Sequence, residues 1–149
     1  MENNLYLRPA NENDMELLFV WANDETVRIN SFNTNPIKKE EHEKWFSKIL
    51  KDDKTVQYIL MDGTVPAGQI RYSLSDDMTE AEIGYSISKE FRNKGLGKKI
   101  VALGSEKLKE DVPSVKTVIA RVKEGNTPSE KCFKDCGFMT DYKQFKKNI

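Results

Sequence analysis

Apolar residues near the start of the chain first alternate with polar ones and then recur at helical spacing. Leu5 and Leu7 fit a short strand that Pro9 closes. The next apolar residues predict a helix capped by Asn11 or Asn13, and they are Met15, Leu18, Phe19 and Ala22. The Asn-, Ser- and Thr-rich stretch 23–37 predicts a broken helix or loop. A second helix is predicted after it, with one face formed by His42, Trp45, Phe46, Ile49 and Leu50.

Three runs with the composition of strands follow one another closely. They cover 56–61, 67–74 and 81–87, and turn residues separate them. The turn signals are Asp62-Gly63 and Asp76-Asp77. This spacing predicts strands joined by short connections.

The hydrophobic period changes back to that of a helix after residue 87. The apolar positions of this helix, which ends before Pro113, are Leu96, Ile100, Leu103 and Leu108. Residues 115–122 then predict a strand, 127–135 a helix and 138–145 a last strand. The order β-α-α-β-β-β-α-β-α-β over residues 1–149 predicts one α/β (α+β) domain, a mixed sheet with helices on both faces.

Composition and charge narrow the function classes. The 149 residues are 38% hydrophobic and 32% charged, as in a soluble globular domain. Twenty-four basic residues balance twenty-four acidic ones, so net charge offers no attraction to nucleic acid or to an anionic membrane. Cys132 and Cys136 lie four apart in one helical segment, which argues against a disulfide framework and favours a cytoplasmic protein. With one histidine and no second cysteine pair, no metal site is expected.

A glycine turn, Arg92-Asn93-Lys94-Gly95-Leu96-Gly97, joins the strand over 81–87 to the helix that follows. Glycines at 95 and 97 allow unusual dihedrals and close backbone approach. N–H groups at a helix start, aided by the helix dipole, can hold a pyrophosphate, and Lys94, Lys98 and Lys99 add positive charge. Alternatively, the glycines only shape a strand–helix connection. The turn lacks the Gly-Lys-Ser/Thr ending of a nucleotide triphosphatase loop and the G-x-G-x-x-G of a dinucleotide fold.

The pattern R-x-x-G-x-G between a strand and a helix resembles the acetyl-CoA motif of the GNAT superfamily of N-acetyltransferases. Two further segments agree with that family in the expected order, so the resemblance spans residues 5–138. They are the opening Leu7-Arg8-Pro9-Ala10 with Asn13-Asp14, and Asn126-x-x-Ser129-x-x-x-Phe133-x-x-x-Gly137-Phe138. The resemblance implies the GNAT fold, in which strands 81–87 and 115–122 splay apart around acetyl-CoA.

The resemblance also implies which residues bind the acetyl donor. The pantetheine arm would pair with the backbone near residues 85–87, the pyrophosphate with the N–H groups of the turn, and Asn126 would contact the pantetheine. From the residues alone, Asn126 is also a good helix N-cap. The implied cofactor-binding residues are Tyr85, Ser86, Ile87, Arg92, Asn93, Lys94, Gly95, Leu96, Gly97, Lys98, Asn126 and Phe133.

Acetyl transfer to an amine needs a neutral amine and a proton for the leaving thiolate. An amine with a pKa of about 10.4 is neutral in fewer than about one molecule in a thousand at pH 7, so a general base helps. Glu82 resembles the family's catalytic glutamate, although it is also typical of a solvent-facing strand residue. Phe133 stands where many relatives carry a tyrosine as general acid. Tyr85 or Tyr142 would then be the donor, or the thiolate leaves without help.

The first two helices and their connection would form the acceptor site. The segments Trp21-Ala22-Asn23-Asp24 and Glu41-His42-x-x-Trp45-Phe46 resemble the branch that acetylates amino groups on nucleotide-linked sugars. By that similarity Arg28 and His42 bind the diphosphate, and Gln69 and Arg71 face the acceptor. From the residues alone, a lone histidine on such a helix, here His42, is more often a structural hydrogen bonder than a ligand.

Other acceptors and one other class stay open. The same opening segments resemble ribosomal-protein N-terminal acetyltransferases and polyamine acetyltransferases, and a non-catalytic acyl-CoA-binding sensor would use the same scaffold. The exposed edge of the strand predicted over 138–145 is compatible with a homodimer. The expected partner is a small-molecule amine, with neither nucleic acid nor membrane.

Overall fold

Residues 4–149 are described by a computed structural model, and they contain a single five-stranded sheet flanked by helices. The strands are β1 (Leu5–Pro9), β2 (Thr55–Asp62), β3 (Val65–Leu74), β4 (Glu80–Ile87) and β5 (Thr117–Ala120). The helices are α1 (Met15–Ala22), α2 (Glu25–Ile29), α3 (Lys39–Leu50), α4 (Leu96–Asp111) and α5 (Thr127–Asp135). None of the helices within residues 4–149 is long and apolar enough to cross a membrane.

The strands lie in chain order across the sheet. The first three pairs are antiparallel, and β4 and β5 are parallel because α4 forms the crossover between them. The prediction of a mixed sheet is therefore confirmed.

Alternation along the strands sends apolar side chains to both faces of the sheet. On one face Tyr58, Leu60 and Tyr72 pack with α4 and α5 in the larger core. On the other face Ile59 and Met61 pack with residues of α1 and α3 in a smaller core. The predicted arrangement, with helices on both faces, is confirmed.

The prediction of a last strand over residues 138–145 is wrong. Residues 138–149 form no strand, and Met139, Tyr142 and Phe145 are exposed. A strand needs a hydrogen-bonded neighbour, and no residue beyond 137 pairs with the sheet. The strand edge on which the homodimer expectation depended is therefore missing.

Two other predictions change in extent. The strand predicted over 115–122 is shorter, covering Thr117–Ala120. The stretch 23–37 contains the short helix α2, whose first N–H groups are capped by the Asp24 carboxylate at 3.0 and 3.3 Å.

Candidate active site

A gap opens between the parallel strands β4 and β5. Their pairing runs from Glu80 opposite Thr117 to Ile83 opposite Ala120 and then stops, although β4 continues to Ile87. The β5-facing backbone groups of β4 beyond Ile83 therefore have no strand partner. An extended ligand chain can pair with such an edge.

The glycine turn follows the open part of β4. Asn93 and Gly95 both have left-handed backbones, with φ of 63° and 74°. Gly95 is the N-cap of α4 and supplies no side-chain cap, so the first N–H groups of this 16-residue helix have no side-chain acceptor. With Lys94, Lys98 and Lys99 beside it, this helix start can hold an anion.

Arg92 of the turn contacts both the gap and the acceptor side. Its Nε donates to the Ile87 carbonyl at 3.0 Å, and its guanidinium pairs with the Asp24 carboxylate at 2.8 Å. Burial is the largest single effect and would raise the pKa of Asp24, but the hydrogen bonds from Arg92, Val27 and Thr26 and the charge of Arg92 together outweigh it, so the pKa is lowered.

A second contact connects α2 to the opposite wall of the gap. The Lys123 ammonium, just after β5, donates to the carbonyls of Ile29 and Ser31 at 2.9 and 3.3 Å. Because Arg92 follows β4 and Lys123 follows β5, α2 is fastened to both sides of the gap.

A cavity of about 500 Å³ lies between α1–α3 and the half of the sheet formed by β2–β4. Trp21 and Trp45 line it from the helices, and Gly84 and Ser86 line it from β4. Its volume is in the range that holds small ligands. Since β4 borders both spaces, the cavity adjoins the gap.

Side chains on the floor of the cavity form a hydrogen-bonded row across three strands. Gln57 Nε2 donates to Gln69 Oε1 at 3.0 Å, and Gln69 Nε2 donates to Ser86 Oγ at 3.2 Å. Gln57 Oε1 is buried and has no partner among residues 4–149. Gln57 was not predicted as a site residue from the sequence, although strand alternation places it on the same face as the cavity-lining residues.

Arg71, which the family resemblance assigned to the acceptor, also lies on the floor of the cavity. Its guanidinium carbon is 4.9 Å from the centre of the Trp45 ring. Burial lowers the pKa of Arg71, and the negative charge of Glu82, which acts to raise the pKa, only partly offsets this effect. The Arg71 guanidinium has no hydrogen bond or ion pair within residues 4–149.

Arg28 lines the cavity, but its guanidinium is used within the fold. Nε donates to the Ala22 carbonyl at 2.7 Å, and Nη1 donates to the carbonyls of Asn33 and Asn35, both at 3.0 Å. Nη2 donates to Ser31 Oγ at 3.2 Å. Arg28 thus shapes the loop after α2.

His42 is 3% exposed, and its ring stacks on that of Phe46. Its Nε2 lies 3.2 Å from the Met15 carbonyl, which can only accept, so Nε2 carries the proton. Burial lowers the pKa of His42, so the imidazole is neutral at neutral pH. A neutral, enclosed ring is a poor ligand for a diphosphate.

Glu82 lies where β4 and β5 begin to diverge, opposite Ile119. Its Oε1 is 3.3 Å from Arg121 Nε, and the side chain is 47% exposed. Glu82 is not part of the cavity lining, but alternation places it on the same face of β4 as Gly84 and Ser86.

Tyr85 points to the α5 side of the sheet. Its hydroxyl is 3.2 Å from Ser129 Oγ, and its ring packs edge-on against buried Phe133. Burial raises the pKa of the Tyr85 phenol.

Asn126 caps α5 by accepting a hydrogen bond from the Ser129 N–H at 3.4 Å. Tyr142, the other predicted donor, lies in the exposed segment after α5.

Comparisons with known proteins agree with this geometry. Residues 4–139 match the family profile described as an acetyltransferase (GNAT) domain. The chain is 31% identical over 98 residues to the uncharacterized N-acetyltransferase YfmK of Bacillus subtilis (strain 168). That match covers 64% of this chain and 62% of YfmK, so it spans less than two thirds of the relative.

Two solved structures have the same fold. A domain from Methanocaldococcus jannaschii DSM 2661 gives a TM-score of 0.81 at 26% identity, covering 96% of this chain and 93% of that one. Spermidine N-acetyltransferase from Vibrio cholerae, in complex with CoA and spermine, gives a TM-score of 0.83 at 17% identity, covering 93% and 82%. The predicted fold class is confirmed.

Proposed function

The chain belongs to the GNAT acetyltransferase family, and on that premise we propose that it transfers the acetyl group of acetyl-CoA to a primary amine of a small molecule. The observation that carries the proposal is the adjacency of two spaces. The gap between β4 and β5 suits an extended donor, and the cavity suits an acceptor. Gly84, Tyr85 and Ser86 line the cavity and lie beyond the last residue of β4 that pairs with β5, which would allow donor and acceptor to meet there.

The residues present fit acetyl-CoA, which supplies an acetyl group activated as a thioester. The open edge over residues 84–87 would pair with the pantetheine arm, and the N–H groups of residues 92–98 would hold the pyrophosphate. The support is that the edge lacks a strand partner and the start of α4 lacks a side-chain cap. Asn126 and Phe133 would contact the same arm from α5.

Glu82 is the proposed general base. A donor held by its pyrophosphate at the turn would run back along β4, with its reactive end where pairing with β5 resumes at Ile83. Glu82 precedes that point by one residue, and its exposed carboxylate would receive the amine proton through water. The Ser86 hydroxyl accepts from Gln69 and keeps its own proton available for donation.

Tyr85 is the proposed general acid in place of the tyrosine absent at position 133. Its raised pKa keeps the phenol protonated at neutral pH, as a donor must be. The Gly97 side of the gap is near, because a Cβ atom added at Gly97 would lie 3.6 Å from the Tyr85 hydroxyl.

The proposed acceptor is an amino group on a nucleotide-linked sugar, following the resemblance of the acceptor segments. A peptide N-terminus and a polyamine are the alternatives. The spermidine enzyme that shares the fold suggests a polyamine as acceptor. The cavity, however, is lined by two guanidiniums and only one carboxylate, Glu41, which does not favour a polycation. Both cysteines are free thiols, which supports the proposed cytoplasmic location.

An acceptor screen tests the proposal. Release of the CoA thiol from acetyl-CoA is followed with UDP-linked 4-amino sugars, spermidine and peptides with free N-termini, and products are identified by mass spectrometry. We expect faster release with at least one amine and a mass increase of one acetyl group on it. Binding of acetyl-CoA without amine-dependent release would contradict the enzyme and favour a sensor.

A further inference from the structure

We propose that Arg71, whose guanidinium lies over the Trp45 ring, binds an anionic group of the acceptor, so that the acceptor is a primary amine that also carries a phosphate or carboxylate. The inference rests on the proposed function, because it takes the cavity as the acceptor site. It adds a specificity-determining residue and narrows the class of substrate.

Arg71 differs from the other four arginines of the chain because its guanidinium has neither a hydrogen-bond acceptor nor an ion-pair carboxylate within residues 4–149. Arg8 pairs with Asp14, Arg92 with Asp24 and Arg121 with Glu82. Arg28 donates to three backbone carbonyls and a hydroxyl. A guanidinium has five N–H donors, and leaving them unsatisfied away from bulk water is unfavourable. A ligand anion would satisfy them.

The contact with Trp45 orients the guanidinium. A guanidinium placed over an aromatic face gains a cation–π attraction, and the N–H groups of Arg71 keep no hydrogen-bond acceptor within residues 4–149. Those N–H groups match two oxygens of a phosphate or carboxylate. Arg71 is therefore prepared for bidentate binding rather than only for covering the ring.

The position of Arg71 points the rest of the acceptor toward the gap. In the β3–β4 register Arg71 lies directly opposite Gly84. A Cβ atom added at Gly84 would meet nothing within 4 Å, so the space directly above Gly84 is clear. An acceptor anchored by its anion at Arg71 can extend its amine across Gly84.

The other charged groups of the cavity do not replace Arg71 in this role. The Arg28 donors are used by the loop after α2, and His42 is neutral at neutral pH. Glu41 contributes one negative charge, and Glu82 acts on Arg71 from outside the cavity lining. The cavity thus favours a ligand with an anion over a polycation such as spermidine.

A binding experiment tests the subsite without relying on turnover. The chain has two tryptophans, so Trp21→Phe leaves Trp45 as the only one. In this background, and with CoA saturating so that the glycine turn is occupied, inorganic phosphate and acetate are titrated at constant ionic strength. We expect a saturable change in Trp45 fluorescence with at least one of the two anions.

Variants in the same background identify the residue. Arg71→Met should raise the dissociation constant of the anion by at least about thirtyfold, which is the effect of removing one partner of a desolvated charge pair. Arg71→Lys, which keeps the charge without the planar fork, should lose less. The control Lys48→Met removes an exposed charge on α3 and should change nothing. An unchanged dissociation constant in Arg71→Met, or no saturable response in the parent, would overturn the inference.

Matched acceptors separate this inference from the proposed function. Glucosamine 6-phosphate is compared with glucosamine, and 4-aminobutyrate with butylamine. We expect the anionic member of a pair to have the higher kcat/KM, and Arg71→Met to abolish that preference. Acetylation of neutral amines or spermidine with no such preference would refute the anion subsite and leave acetyl transfer intact. If none of these amines is acetylated, the fluorescence titration decides the subsite alone.

Discussion

Glu82→Gln removes a carboxylate where β4 and β5 diverge and keeps the size of the side chain. The cost to stability is small, because Glu82 is 47% and its partner Arg121 60% exposed. Such solvent-exposed pairs contribute between about 0 and 1 kcal/mol. A positioned general base contributes about a hundredfold or more to the rate. We therefore expect kcat/KM at neutral pH to fall about a hundredfold with little change in Tm.

The pH dependence distinguishes a base from a structural residue. The free fraction of an amine with a pKa of about 10.4 rises about tenfold per pH unit below that value. As the neutral fraction of the amine rises, the reaction depends less on a general base. The loss of kcat/KM in Glu82→Gln should therefore become smaller as the pH rises. Initial rates of CoA thiol release over a pH series measure this. Glu80→Gln, an exposed glutamate on the same face of β4, is the control. A defect that is absent, or equal at every pH, would refute the role of Glu82.

Three further variants test the packing, an ion pair and the general acid. Gly104→Ala should lower the free energy of unfolding by about 1–3 kcal/mol in urea, because its Cβ would lie 2.5 Å from the Tyr72 hydroxyl. Asp14→Asn should cost about 2 kcal/mol at neutral pH by breaking a bidentate pair with Arg8 at 2.7 and 2.8 Å. Tyr85→Phe should lower kcat at least about tenfold with little effect on KM, measured by thiol release.

Two of these variants, Gly104→Ala and Tyr85→Phe, have a matched control. For Gly104→Ala the control is Ala102→Gly, at an exposed position of α4. Its free energy of unfolding should fall by only about 1 kcal/mol, the difference in helix propensity between alanine and glycine. Unchanged stability in Gly104→Ala would contradict the close helix–sheet contact. Tyr142→Phe, in the segment after α5, should leave kcat unchanged, and an unchanged kcat in Tyr85→Phe would remove Tyr85 as acid.

The effect of Asp14 depends on pH with a defined sign. Burial would raise the pKa of Asp14, but hydrogen bonds from Arg8 and Asn11 outweigh it, and the pKa is lowered. A carboxyl with a lowered folded-state pKa stabilises the fold above its unfolded value of about 3.9. The difference between the wild type and Asp14→Asn should therefore shrink below about pH 4. A difference that stays constant under acid conditions would contradict the ion pair.

Local signals explain why much of the fold could be predicted from the sequence. Helical spacing of Leu96, Ile100 and Leu108 identified α4, and turn residues identified the short connections between β2, β3 and β4. The same kind of local signal failed after residue 137. Phe138, Met139 and Tyr142 have the composition of a strand, but a strand also needs a partner edge, which local sequence does not encode.

The site was less predictable because its contacts join distant parts of the chain. The hydrogen bond between Asp24 and Arg92 spans 68 positions, and that between Lys123 and Ile29 spans 94. The family resemblance assigned Arg28 to a diphosphate, whereas backbone carbonyls occupy donors of its guanidinium, which the sequence cannot show. The family resemblance assigned Gln69 and Arg71 to the acceptor, and both side chains line the cavity.

Calorimetric binding of acetyl-CoA to Gly97→Glu tests most directly whether the donor binds at the glycine turn. Glutamate at this position would bring bulk and negative charge to the start of α4. Ala102→Glu places the same side chain at an exposed position of the same helix. We expect the wild type and Ala102→Glu to bind acetyl-CoA alike and a folded Gly97→Glu to show no binding. Equal affinity in all three proteins, or no binding to the wild type, would contradict the account.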